Sequence, residues 1–278
     1  MQIKLKSYAK VNLGLCLHGK RNDGFHQLET IMHEVDLHDD ITFSKSNQSL
    51  DSLTIDGCDK LDVKDNLIVR SLTLLREAYP ALPTFNIHLV KRIPIGGGLG
   101  GGSSNAICIL LEAAKYIDSI DSHHIDSIAS KLGSDTNFFI KGGTAICRGR
   151  GEQVSLLKPK EFFLNLICPN IHCSTVEVFK NCSSDDYHNR SLQALWEKTY
   201  YSPQNDLETP CYKAYPKMLL IARELKNFAE NLLLSGSGST LYTIHNDEKS
   251  RNDVYDNLEQ YCSKNKIDLL KTKSLYRD

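Results

Sequence analysis

The sequence has no excess of charge of either sign: 33 Lys and Arg stand against 34 Asp and Glu, a formal net charge of -1 over 278 residues. A protein whose affinity comes from the phosphate backbone of nucleic acid carries a clear basic surplus. The expected partner is therefore a small molecule, not nucleic acid. Long apolar runs are missing too. No stretch approaches the roughly 20 residues that span a bilayer, and the opening MQIKLKSYAK has no apolar segment behind its lysines. The expectation is a cytoplasmic protein with no membrane partner. CxxC spacing is also absent. The nine cysteines (Cys16, Cys58, Cys108, Cys147, Cys168, Cys173, Cys182, Cys211 and Cys262) are odd in number and scattered, which fits neither a disulfide framework nor a zinc site. Reduced, mostly buried thiols are expected. No internal repeat or low-complexity segment occurs, and the 41% hydrophobic and 24% charged fractions are those of an ordinary globular chain.

What is present is periodicity. Val11, Leu13, Leu15 and Leu17 alternate with Lys10, Asn12, Gly14 and Cys16, as in a strand with one apolar face. Short strands are predicted at Ile41 to Phe43, Leu53 to Ile55, Phe85 to Val90, Phe162 to Cys168, Leu241 to Ile244 and near Leu269. Helical spacing predicts a helix from about Asn66 to Tyr79 capped by Asp65, and one from Ser103 to about Tyr116 that is apolar nearly all round. A third runs over His124 to Leu132, with Gly133 as a left-handed C-cap. An amphipathic helix on Met218, Ile221, Ala222, Leu225 and Phe228 and a charged helix lie in the second half. The stretch between Pro169 and the Met218 helix is irregular, Ser-rich and polar. Strands and helices without strict βαβ alternation point to an α+β fold, with a soft boundary near residues 153 to 160.

The strongest chemical signal is Pro94, Ile95, Gly96, Gly97, Gly98, Leu99, Gly100, Gly101, Gly102, Ser103 and Ser104, which puts six glycines in seven residues before the buried helix. Without Cβ atoms the main chain can approach an anion and aim its N–H groups at it, and the helix N-terminus adds partial positive charge. This is a phosphate cradle. It lacks the Gly-Lys-Ser/Thr ending of a Walker A loop. Gly96, Gly98 and Gly101 satisfy GxGxxG, but the nearest acid, Asp118, follows a helix directly and does not end a second strand, as a dinucleotide fold requires.

Weaker signals surround it. Asp135, between a helix-ending glycine and the apolar Phe138 and Phe139, is placed either to take or orient the proton of a substrate hydroxyl or to cap a turn. Lys10 and Asn12 share the strand face opposite the leucine stripe; a lysine there either balances charge moving off a phosphoryl group or is solvated. Phe25 and His26, in the turn RNDGFH, offer a stacking face and hydrogen bonds for a flat ring, or form an ordinary surface turn. The run LSGSGST and the stretch GGTAICRGRGE, read as a hairpin, complete the set.

Taken in order, AKVNLGL, KRNDGFHQLET, PIGGGLGGGSS, LGSDTNFF, GGTAICRGRGE and LSGSGST resemble the small-molecule kinase superfamily of galactokinase, homoserine kinase, mevalonate kinase and phosphomevalonate kinase, from residue 7 to about 244. DGFH and Asn205-Asp-Leu-Glu208 make the resemblance greatest to the branch acting on a cytidine diphosphate-linked methylerythritol. The resemblance implies an α+β two-domain fold. Residues 1–156 would form an ATP-binding and catalytic domain like ribosomal protein S5 domain 2, and residues 157–278 a ferredoxin-like substrate-side domain. It implies ATP along Pro94 to Ser104, Asp135 as the catalytic aspartate, Lys10 as its lysine partner and Asn12 as a substrate contact. Phe25 and His26 would stack on and hydrogen-bond the cytosine, with Phe179 as the opposite face. Mg²⁺ is expected on the ATP, with Ser103 and Ser104 as candidate contacts, and the protein is expected to be a monomer or weak homodimer. Ser134, Thr136 and Asn137 depart from the Ala, aliphatic and Pro usual in the superfamily branch, implying a less stiff backbone around Asp135. Phe25 replaces a common tyrosine, and Asn22 a frequent proline. The alternatives are a sister kinase acting on homoserine or mevalonate, and a catalytically silent nucleotide binder.

Overall fold

The computed structural model describes residues 2–57, 66–188, 190–198 and 201–276, and the chain forms two compact units. Strands β1 (Gln2–Lys20) and β2 (His26–Lys45) pair with each other, and their residues are divided between the units. Both are far longer than the sequence periodicity suggested. Residues 7 to 17 of β1 are buried on both faces apart from a partial exposure at Tyr8, so the alternation marks two kinds of interior and not an inside and an outside.

The first unit comprises Met1–Ala9, Leu37–Pro94 and Gly100–Gly142. It contains β3 (Ser52–Asp56), α1 (Leu67–Ala78), β4 (Phe85–Val90), α2 (Gly101–Ala114), α3 (Ser122–Leu132) and α4 (Thr136–Lys141). β4 runs antiparallel to the Asp40–Lys45 end of β2 and parallel to β3. The helices pack on one another, α1 and α4 on α2 and α3 on both α1 and α4. α2 is apolar on most sides and buries Ala106, Ile107, Ile109, Leu110 and Ala113, so its burial holds its N-terminus in place. Two end signals differ from expectation. Asn66 caps α1, its Oδ1 accepting from Ile68 N at 2.9 Å, whereas Asp65 lies outside the described residues, as does Cys58. Gly133 ends α3 at φ 172, an extended conformation and not a left-handed one.

The second unit comprises Lys10–Asp36, Ile95–Leu99 and Gly143–Asp278. β5 (Thr144–Gly149) pairs antiparallel with β2 over Leu28 to His33 and with β6 (Gln153–Leu156), giving the predicted hairpin. β7 (Phe163–Cys168) follows. The stretch read as irregular then holds three short helices: α5 (Thr175–Lys180), α6 (Leu192–Trp196) and α7 (Glu208–Ala214). α8 (Pro216–Leu225), β8 (Leu233–Leu234), β9 (Leu241–His245), α9 (Glu248–Lys264) and β10 (Asp268–Lys273) complete the chain. The last sheet has the order β10-β7-β9-β8, antiparallel throughout. One core joins Leu15, Leu17, Ile167, Val178, Met218, Leu225, Leu241 and Leu258. Phe228, assigned from spacing to the α8 stripe, lies past its end and is 39% exposed.

All eight described cysteines are free thiols, and six of them are buried. Burial pushes Cys16, Cys168, Cys182 and Cys262 up to about 11, which makes them packing residues and not nucleophiles. Among the described residues no helix is long and apolar enough to cross a membrane.

His33 on β2 is fully buried, with Nδ1 2.8 Å from Thr144 Oγ1 and Nε2 2.8 Å from Ser274 Oγ. Desolvation lowers its pKa from 6.5 to about 4. The folded state therefore holds it neutral while the unfolded chain takes up a proton below pH 6.5. Its contribution is fully present above pH 6.5 and falls away as pH drops toward 4, by about 3 kcal/mol in all. Urea unfolding at pH 7 and pH 4.5 should show this loss in the wild type and a smaller loss in His33→Gln; equal pH dependence of the two proteins would contradict it.

Candidate functional site

The glycine-rich run leaves β4 and opens α2 in a backbone course that only glycine follows without strain. Gly96, Gly98 and Gly100 have φ of 71°, 74° and 71°, the left-handed region that costs other residues about 1–3 kcal/mol each. Alternating such residues with ordinary ones turns successive N–H groups toward one side, as in an anion-binding nest. Gly100 occupies the N-cap of α2 and supplies no side-chain cap, so the first-turn amides keep their capacity for an outside acceptor.

Within the second unit, Ile95–Leu99 lies against the turn between β8 and β9. Thr240 N donates to Gly97 O at 3.2 Å, and a Cβ on Gly98 would lie 2.8 Å from Gly238 O and 3.0 Å from Ser235 O. The SGSG run is thus the backing of the loop and joins two strands, where the sequence placed it between a helix and a strand. Within the first unit, a Cβ on Gly101 would meet Ile93 at 3.0 Å and Lys91 Nζ at 3.1 Å. Ser104 is buried and its Oγ accepts from Ser7 Oγ at 2.7 Å.

Lys10 and Asn12 are brought together on β1, Lys10 Nζ donating to Asn12 Oδ1 at 2.6 Å. Neither is a solvated strand residue: they are 2% and 4% exposed. Asn12 is fixed from every side. Its Nδ2 donates to Thr30 Oγ1 at 2.9 Å, its N to Ser235 Oγ at 3.1 Å, and its O accepts from Tyr242 Oη at 3.0 Å. Lys10 N also donates to Leu99 O at 2.9 Å, which ties β1 to the loop. Such complete satisfaction is what a buried polar pair requires.

The aromatic candidates form a second group in this unit. His26 and Phe179 have ring centroids 5.1 Å apart at 31°, and Tyr187 stands 5.9 Å from His26. Burial first, and Lys20 second, lower the His26 pKa, favouring a neutral ring able to donate from one nitrogen and accept at the other. Phe25 is half exposed, and the Arg150 guanidinium lies 4.7 Å over its ring. Phe179 sits on α5, and Tyr187 in the stretch where the sequence showed no periodicity. The only pointer to Tyr187 was its aromatic character.

Asp135, in the first unit, occupies the N-cap position of α4 without a side-chain cap hydrogen bond to that helix. Phe138 and Phe139 behind it are buried, as expected. Thr136 Oγ1 is 2.5 Å from the carbonyls of Ala129 and Gly133, and Asn137 bonds Ser130 and Asp126 O at 3.0 and 3.1 Å. These side chains anchor the backbone beside Asp135 to α3, making up for the stiffness that a proline would give.

Comparisons with known proteins accord with these features. A model of the GHMP kinases N terminal domain matches residues 66–143. The chain is 33% identical over 279 residues to the 4-diphosphocytidyl-2-C-methyl-D-erythritol kinase of Persephonella marina, covering 96% of this chain and 98% of that relative. It is 36% identical over 271 residues to the kinase of the same name from Prochlorococcus marinus, covering 88% and 86%. A crystal structure of a 4-(cytidine 5'-diphospho)-2C-methyl-D-erythritol kinase matches with TM-score 0.78 at 26% identity, over 99% of this chain and 100% of that one. Homoserine kinase from Cytophaga hutchinsonii shares the fold with TM-score 0.69 at 15% identity, over 99% and 94%.

Two glycines separate backbone constraint from mere glycine richness. Gly98→Ala should lower unfolding stability by about 1–3 kcal/mol, because its positive φ and two facing carbonyls leave no place for a methyl group. Gly102→Ala, inside α2 with only Leu67 Cδ1 at 3.6 Å, should be neutral or stabilising by up to about 1 kcal/mol. Urea denaturation of both variants checks this; equal effects would contradict it.

Proposed function

The chain belongs to the 4-diphosphocytidyl-2-C-methyl-D-erythritol kinase family, and from that premise we propose that it uses ATP to phosphorylate the 2-hydroxyl of 4-diphosphocytidyl-2-C-methyl-D-erythritol, giving the 2-phosphate and ADP for isoprenoid precursors by the non-mevalonate route. The observation that carries the site reading is the main-chain cradle of Gly96 to Gly102, backed by the β8–β9 turn and opening a buried helix. Such a loop receives a polyphosphate through amides alone. The homoserine kinase likeness is one of fold only and gives no support to a different alcohol.

In this reading the γ-phosphorus gains a bond to the 2-hydroxyl oxygen as its bond to the β–γ bridging oxygen breaks, and the hydroxyl proton passes to Asp135 or is oriented by it. Lys10 balances the charge that moves, and Asn12 both holds Lys10 and contacts substrate. His26 and Phe179 would recognise the cytosine by its edge and its face, and Phe25 would supply the other face, with Arg150 giving way. Most of the rate would come from positioning and electrostatics. No group of three or more His, Cys, Asp or Glu placed to hold a metal occurs among the described residues. The donor set fits a Mg²⁺ carried in on the phosphates, contacted by Ser103 or Ser104, whose hydroxyl oxygens retain lone pairs. When bound, that ion neutralises charge on the β and γ oxygens. The same reading assigns residues 1–156 to ATP and catalysis and 157–278 to the substrate side, in a cytoplasmic monomer or weak homodimer.

Purified protein given MgATP and the cytidine compound should form ADP and the 2-phosphate in equal amounts, and should not turn over homoserine or mevalonate. Turnover of either of those, with none of the cytidine compound, would overturn the substrate. Asp135→Asn should lower kcat by about 10²–10⁴-fold while leaving the unfolding midpoint within a few degrees; undiminished ADP formation would remove Asp135 from the chemistry.

A further inference from the structure

Asn205 is assigned no chemistry by anything above, yet its carboxamide is used almost completely. Nδ2 donates to two main-chain carbonyls at once, Leu234 O at 2.8 Å and Gly236 O at 2.7 Å, and Oδ1 accepts from Leu207 N at 2.9 Å. The flanking backbone is anchored to β1, with Leu15 N donating to Gln204 O at 2.8 Å and Asp206 N donating to Leu15 O at 3.0 Å. One planar amide, on a segment bridged at Leu15 to the strand that carries Lys10 and Asn12, therefore grips both ends of a three-residue segment of the β8–β9 turn. A turn of small residues has few side-chain contacts of its own to define it, so what holds its carbonyls sets its course.

That turn touches both chemical groups of this unit. On one side, Ser235 Oγ accepts from Asn12 N at 3.1 Å, and a Cβ at Gly236 would fall 2.9 Å from Asn12 Oδ1 and 3.9 Å from Lys10 Nζ. On the other side, Thr240 N and the carbonyls of Ser235 and Gly238 bear on Gly97 and Gly98. We propose that Asn205 is a positioning residue for phosphoryl transfer, which through the Ser235–Thr240 turn sets the Lys10–Asn12 pair against the phosphate loop. The inference rests on the proposed roles of Lys10 and the loop, and it identifies how their placement is enforced. Asparagine suits the task because it alone of the small side chains presents two diverging donors on one nitrogen and an acceptor; aspartate is isosteric but would aim a carboxylate at two carbonyl oxygens.

The test compares Asn205→Asp and Asn205→Ala with the wild type and with His33→Gln, a variant weakened at a side chain bonded to Thr144 and Ser274 and not to Asn12 or the turn, below the unfolding range of all four. kcat in both Asn205 variants should fall 10- to 100-fold, with a smaller change in the KM for the cytidine compound, whose proposed ring contacts His26 and Phe179 are not bonded to Asn205. His33→Gln should keep wild-type kcat. In Asn205→Asp the ratio of kcat to that of the wild type should rise as pH is lowered, since a protonated carboxyl regains one donor toward Leu234 O or Gly236 O. Wild-type kcat in either Asn205 variant, a flat ratio with pH, or a kcat loss equalled by His33→Gln would overturn the proposal. Ser235→Ala severs the same link at its other end and deletes only a hydroxyl. It should lower kcat several-fold, and wild-type kcat there overturns the proposal even if the Asn205 variants fail to fold. A wild-type protein inactive on the cytidine compound would instead refute the functional reading itself.

Discussion

The structure depends on one constraint of the main chain: between β4 and α2 the backbone takes positive φ at every second residue. Gly96, Gly98 and Gly100 meet that requirement, and each neighbouring feature protects it. The carbonyls of Ser235 and Gly238 close the space where a side chain at Gly98 would go, Ile93 and Lys91 do the same at Gly101, and the buried apolar body of α2 keeps the helix head from fraying. A loop that offers amides to a phosphate needs no charged side chain of its own, so the proposed role is compatible with a net charge of -1.

The same economy governs β1. An ammonium and a carboxamide sit side by side in an almost solvent-free interior, where each unsatisfied polar atom would cost about 1–3 kcal/mol. Asn12 escapes that cost because Thr30, Ser235 and Tyr242 take up its remaining bonds. Burial of the Tyr242 hydroxyl holds its pKa well above 10, so it stays a donor across the physiological range. A side chain so fully determined has one geometry, which is what a charge-balancing lysine needs if it is to act without reorganisation.

Much of this was legible from residue order alone. The glycine run, the strand Phe85–Val90, the helix over 67–78, the hairpin at 144–156 and the buried helix behind the loop each follow from local pattern, because a turn, a cap or a period is a property of neighbouring residues. What was not legible depends on distant partners. Both faces of β1 are interior because Leu15 and Leu17 join the core of Met218, Leu225 and Leu258 on one side while Leu192 and Tyr201 pack at Gly14 on the other, which no alternation in VNLGLCL reveals. α5, α6 and α7 are helices of five to seven residues, too short for 3.6-residue periodicity to register, so Phe179 and Tyr187 came without a structural context. Gly133 reads as a left-handed cap from sequence but is extended, since the chain must go on at once to Asp135 and α4.

The central claim is that the main-chain amides of the glycine loop receive the triphosphate. It is tested most directly by following the backbone amide resonances of isotopically labelled protein during titration with MgATP. The account predicts that the amides from Gly96 to Ser103 move furthest, and to saturation with the same midpoint as nucleotide binding measured independently. Binding of the nucleotide with those resonances unmoved, and the large shifts elsewhere, would contradict it.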